Sequence, residues 1–206
     1  EAAVSHRNLA ELELWQGHLA QAIEQARRAE ELFRQREDQR GVADVGLLRT
    51  QALLAAHAND QARESLDDLQ PVLADASAEQ RAIAWLLRAQ LARRTGDTPA
   101  AEAARRQARE LAAASGVRHL QLQIALEAAR AGEDAPGLDD ASARLGHAGL
   151  RLAWLEWRMR DALAGEQPSV AAALAAWREA AVLLREGDYA RAHRLHELAA
   201  TALAAS

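Results

Sequence analysis

Apolar side chains along residues 18–37 fall at Leu19, Ala22, Ile23, Ala26, Ala29, Leu32 and Phe33, in steps of three and four. Such steps line one face of an α-helix, and similar stripes run through most of the chain. Helices are expected over 3–16, 18–37, 42–56, 61–75, 78–94, 99–114, 117–131, 138–164, 169–186 and 188–204, about ten in all. Gly17, Gly41, Gly96 and Gly187 mark breaks, and 132–137 is the longest loop-like stretch. Asn59 or Asp60 is the expected cap of the fourth helix, and Pro71 should kink or shorten that helix. Ser77-Ala78-Glu79-Gln80 reads as a capping box. Over 138–164 the steps run without interruption, which favours one long helix; Gly146 and Gly149 offer an alternative split. Long Val/Ile/Thr alternations are absent, so no sheet is expected.

The pattern also repeats. Residues 47–51 read Leu-Leu-Arg-Thr-Gln and 86–90 read Leu-Leu-Arg-Ala-Gln, and such a fixed offset marks a repeat array. Turn positions recur at Gly17, His57, Gly96, Gly132 and Gly187. Seven residues before them stand Ala10, Thr50, Ala89, Ala125 and Ala180; five after stand Ala22, Ala62, Ala101, Gly137 and Ala192; twelve after stand Ala29, Leu69, Ala108, Arg144 and Ala199. Small residues at fixed offsets let paired helices approach closely.

This arrangement resembles the tetratricopeptide repeat, in a longer-period variant of about 40 residues similar to arrays attached to bacterial signalling kinases and transcription regulators. The stretch 132–148 departs from it. The resemblance implies an all-α fold, a right-handed α-solenoid of antiparallel helix hairpins. Residues 1–206 are then one helical-repeat domain, a fragment of a larger protein, with regular repeats over 1–131 and less regular ones over 132–206. It also implies that the first helix of each pair lines a concave face. Arg7, Glu11 and Trp15 map there, with Leu47, Gln51 and Leu54, then Leu86, Gln90 and Arg93, then Leu122 and Leu126, then Trp177 and Arg185. A peptide or partner helix is the expected occupant. The subtype that grips a terminal carboxylate of a chaperone peptide is a poor match, because its clamp positions carry Arg7, Glu11, Leu48, Ile83 and Leu87.

Composition narrows the chemistry. The formal net charge is −5, against phosphate-backbone binding, so no nucleic-acid partner is expected for this segment. All basic residues are Arg, which reads as a GC-rich bacterial coding bias. No cysteine is present, excluding thiol chemistry and Cys-ligated zinc. No apolar run is long enough to span a bilayer, so no membrane insertion is expected. The expected compartment is the cytoplasm, or the periplasm should the parent chain carry a membrane anchor. His193, His196 and Glu197 invite a metal reading, but no third protein ligand can be placed. No nucleophile elbow or phosphate-cradling loop occurs, so neither catalysis nor a cofactor is expected.

The expected function is a non-catalytic protein- or peptide-binding scaffold, the sensory or docking module of a larger bacterial regulator. The alternative is a homo-oligomerisation or autoinhibitory module using the Trp-rich C-terminal third. Trp154 and Trp157, one turn apart, would carry a homodimer interface; otherwise they fill a wider core.

Overall fold

A computed structural model describes residues 1–164, 168–184 and 189–204, and among them the chain is all-α, with no strand. The helices are α1 (Ala2–Gln16), α2 (Leu19–Arg34), α3 (Gln39–Ala55), α4 (Asn59–Asp68), α5 (Gln70–Leu73), α6 (Ala78–Arg94), α7 (Thr98–Ser115), α8 (Arg118–Arg130), α9 (Leu138–Arg144), α10 (Ala148–Ala164), α11 (Val170–Leu183) and α12 (Tyr189–Ala204). These twelve described helices exceed the expected ten because two expected helices are each divided. Pro71, in the first turn of α5, separates α4 from α5. Gly146, at φ 68°, separates α9 from α10, so 138–164 is not one helix; Gly149 stays inside α10. Contacts group the chain into two compact units, Glu1–Glu127 and Ala128–Ser206.

The helix ends follow one local chemistry. At Gly17 the backbone is left-handed, Gly17 N–H donates to Leu14 O (3.2 Å), and His18 N–H reaches Glu13 O (2.9 Å). That double bond is the Schellman stop, which satisfies carbonyls the helix leaves orphaned. The same pair of bonds closes the chain at Glu37, His57, Gly96 and Gly132. His57 thus takes the glycine role at φ 59°. Two expectations need correction. Gly41 is no break: the stop is at Glu37 (φ 57°), and Gly41 sits inside α3. Neither Asn59 nor Asp60 caps α4, whose N-cap is Ala58 without a side-chain bond. The capping box at Ser77 and Gln80 is formed in both directions, and Asp97 caps α7 through Ala100 N.

In the first unit α1 packs on α2, α2 on α3, α3 on α4, α5 and α6, and α6 on α7. The helices approach closely because the stripes are alanine: Ala3, Ala10, Ala22, Ala26, Ala29, Ala62, Ala101 and Ala108 are all buried. Leu53, Leu54, Leu66, Leu69, Leu87 and Leu91 fill the space between them, with Phe33 at one end. Two helical glycines mark the closest approaches, Gly41 against the Phe33 ring and Gly46 against Leu69. A smaller cluster of Ala82, Leu86, Ala108, Ala112, Leu120 and Ile124 joins α6, α7 and α8. In the second unit α10 packs on α9, α11 and α12 around Leu152, Leu155, Met159, Ala176, Ala180, Leu195 and Ala199.

Candidate functional site

The largest exposed apolar side chains of the first unit lie on one helix. Ala3 and Ala10 of α1 are fully buried, while Val4, Leu9, Leu12 and Trp15 are 44–70% exposed. At about 100° per residue Val4, Trp15 and Leu12 share one sector of the helix surface, with Leu9 beside it. Exposed Asn8 lies among them, so the strip is apolar at four positions with a polar one between. A cluster of exposed large apolar side chains marks an interaction surface.

Counting back from each turn residue shows what this strip is equivalent to. Leu9, Arg49 and Arg88 stand eight before Gly17, His57 and Gly96; Leu12, Ala52 and Leu91 stand five before; Trp15, Ala55 and Arg94 stand two before. On α3 and α6 the positions eight and five before the turn are half-buried or buried, whereas Ala55 and Arg94, two before it, are exposed as Trp15 is. Arg49 Nη1 lies 3.4 Å from Glu30 Oε2 on α2. Ala52 and Leu91 are buried, and the Arg94 guanidinium donates to Leu54 O on α3. On α1 the same positions meet solvent.

The residues mapped from sequence do not share one situation. Glu11, Gln51 and Gln90 each stand six before a turn, on α1, α3 and α6, which touch in series, and all three are exposed or half-buried. Arg7 is half-buried and Trp15 exposed, on the same helix as Glu11. Leu47, Leu54, Leu86 and Leu126 are buried core residues, and Leu122 is half-buried. Arg93 is tied up: its Nε lies 2.5 Å from Oε1 of Glu127, a carboxylate 1% exposed. Trp177 belongs to the second unit, half-buried against its core, with its ring 5.8 Å from that of His196. Arg185 lies outside the described residues.

Trp154 and Trp157 stack at 4.7 Å with planes 20° apart. Trp154 is 8% exposed, and its indole N–H donates to Asp139 Oδ1 at 2.7 Å, so it serves the interior rather than offering a surface. That same carboxylate oxygen accepts from Arg151 (2.6 Å), whose guanidinium also donates to Ser142 Oγ and Glu179 Oε1. Burial pushes the Asp139 carboxyl up, but hydrogen bonds from Trp154 and Arg151 and the charges of Arg151 and Arg158 outweigh it and hold it below its ordinary value. His193 pairs with Glu197 at 3.2 Å, and no group of three metal-ligating side chains occurs among the described residues.

No protein-family model, curated protein or solved structure matches the chain. No described helix is long and apolar enough to cross a membrane.

Sequence reasoning missed the polar groups of the interior. Glu30 (3% exposed) pairs with Arg34 and Arg49; Arg49 donates to Ser65 Oγ, which bonds Thr50 Oγ1 at 2.9 Å. One signal was present: Thr50 occupies a position that carries alanine in the other copies, so its hydroxyl needed an inward partner.

Proposed function

We propose that the chain is a non-catalytic helical-repeat module of the tetratricopeptide type, a right-handed solenoid of antiparallel hairpins, that docks a protein helix. It serves as the sensory or docking part of a larger bacterial regulator. The observation that carries the reading is the open strip Leu9, Leu12 and Trp15. The equivalents of Leu9 and Leu12 on α3 and α6 are half-buried or buried, and on α3 Arg49 faces Glu30 of α2. The expected occupant is therefore an amphipathic helix with a stripe of small residues, like Ala26 and Ala29 of α2, which share a cluster with Phe33, Val42 and Val45. Large apolar anchors on one side and small residues on the other let two helices approach closely. Arg7 and Glu11 flank the strip and set register by charge.

The alternative, a homodimer through Trp154 and Trp157, lacks such support because Trp154 is covered and its N–H is bonded to Asp139.

The test uses the whole chain and a synthetic peptide of the α2 sequence, residues 18–36, which contains no tryptophan. The peptide should shift the emission of Trp15 to the blue and bind saturably. Leu12→Glu should weaken binding by about tenfold or more, and Trp15→Ala should remove most of the spectral change. Absence of binding, or equal binding to Leu12→Glu, overturns the reading.

A further inference from the structure

Among the described residues, large apolar side chains stay exposed on three helices: Val4, Leu9, Leu12 and Trp15 on α1, Val182 on α11 and Leu203 on α12. Val182, at 84%, is the most open of them. Its helix has an uncommon composition, with Arg178 and Glu179 as the charged residues among 14. Ala173, Ala176 and Ala180 are buried, and at about 100° per residue they form one narrow inner face. Opposite them lie Ala171, Ala175, Arg178 and Val182, all exposed, with exposed Ala172 and Glu179 alongside. The outer face of a solvated helix is ordinarily charged and polar; here one cation stands among small and branched apolar residues.

The α1 strip and this face each supply what the other lacks. The strip offers large anchors around one polar residue, Asn8; the α11 face offers alanines around one cation, Arg178, and ends in Val182. Laid antiparallel with Asn8 against Arg178, the two helices set Leu12 on Ala175, Trp15 on Ala171 and Val4 on Val182. Small residues facing large ones allow close approach. The same register brings Arg7 to Glu179 and Glu11 beside Arg178, so opposite charges meet. Glu179 spends Oε1 on Arg151 (2.7 Å), which leaves Oε2 for Arg7. The methylenes of Arg178 cover Leu9 while its guanidinium donates to the Asn8 side-chain carbonyl. Run parallel with Glu11 on Arg178, the helices would instead press Leu12 against Glu179.

We propose that the α1 strip of one copy of this chain is occupied by α11 of a second copy. The proposal rests on the reading of that strip as a docking surface and names its partner. The two faces differ, so the contact is heterologous, each copy offering one face of either kind. One helix laid on one helix buries less than the about 1,200 Å² of a stable complex, so association is weak and reversible. The strip is then covered at high local concentration and released by dilution or by a competing helix.

The experiment follows the mass of the whole chain by sedimentation velocity from about 5 μM to about 500 μM, the range in which so small an interface exchanges. Mass should rise with concentration. Leu12→Glu and Ala175→Glu should each weaken association at least about tenfold. An equimolar mixture of these two variants should associate again, because one keeps the α11 face and the other keeps the strip. Asn8→Asp, which sets a charge opposite Arg178, should tighten association about two- to fivefold. Ala103→Glu, exposed on α7, should change nothing. Circular dichroism checks the fold of each variant; if Leu12→Glu unfolds, Trp15→Ala takes its place. A chain that stays monomeric throughout, association that survives in Ala175→Glu, or a mixture without recovery overturns the proposal. The α2 peptide separates this from the docking reading, since Ala175→Glu should bind it as the parent chain does. Peptide binding by a chain that never associates removes the second copy alone; association without peptide binding removes that reading and leaves the second copy in place.

Discussion

Replacing Gly46 by alanine tests how closely α3 meets α4 and α5. In an exposed helix interior the change would stabilise, by roughly 0.8–1 kcal/mol of helix propensity. Here a Cβ would stand 2.9 Å from Leu69 Cδ1 and closer still to Cδ2. Leu69 is fully buried and belongs to the main cluster of the first unit, so its methyl groups have nowhere to go. Overpacking of this kind costs about 1–3 kcal/mol. The balance is a loss of about 1 kcal/mol, opposite in sign to the propensity effect alone. Urea unfolding followed by circular dichroism measures it. A double-mutant cycle isolates the contact. Leu69→Ala alone should cost about 2–5 kcal/mol, and less in the Gly46→Ala background, where the added methyl partly fills the hole, giving a favourable coupling of about 1–2 kcal/mol. Stabilisation by Gly46→Ala, or a cycle additive within about 0.5 kcal/mol, would show that Leu69 does not press on α3.

Glu37→Gly and His57→Gly should each raise stability by about 0.5–1 kcal/mol in thermal melts, since left-handed strain of about 1–2 kcal/mol outweighs the entropy glycine adds to the unfolded chain. Arg49→Leu should destabilise by about 3 kcal/mol in urea, because Glu30, 3% exposed, keeps only Arg34. The Asp139 carboxyl is held below its ordinary 3.8, so its contribution is complete above that pH and is lost as pH falls through the lowered value. Acid titration of Asp139→Asn should therefore show a shallower loss of structure below about pH 3.8 than the parent chain.

Helix existence was legible because steps of three and four dominate and alanine, leucine, arginine and glutamate all favour helix. Turn placement was legible where glycine carried the stop, at Gly17, Gly96 and Gly132, and also at His57, where the spacing substituted for the missing glycine. Glu37 was not legible, because a charged residue in the left-handed region leaves no compositional mark, and nearby Gly41 drew the break to itself. Gly41 is there for a different reason, the Phe33 ring packed against it. The division at Gly146 was hidden by an apolar stripe that runs on through it. For the candidate site, spacing placed Trp15, Glu11, Gln51 and Gln90 at accessible positions. It could not separate Arg93, committed to Glu127, from an arginine open to a ligand, since the partner lies 34 residues away in sequence.

The position eight residues before each turn connects these observations. It is filled by Leu9, Arg49 and Arg88, so one place in the helix pattern carries one aliphatic side chain and two guanidiniums. What faces that place follows from the residue in it. A partly buried guanidinium is costly unless a carboxylate meets it, and Glu30 meets Arg49 at 3.4 Å. The repeat supplies no such carboxylate for Arg88, because Gln70 stands there and Pro71 ends the regular helix. A leucine demands apolar cover instead, and Leu9 shares its exposed surface with Leu12 and Trp15. The surface proposed for docking on α1 is therefore a place where the internal pattern continues and its internal partner does not. That surface selects by chemistry: a charged helix face laid on Leu9 would bury a polar group without a partner.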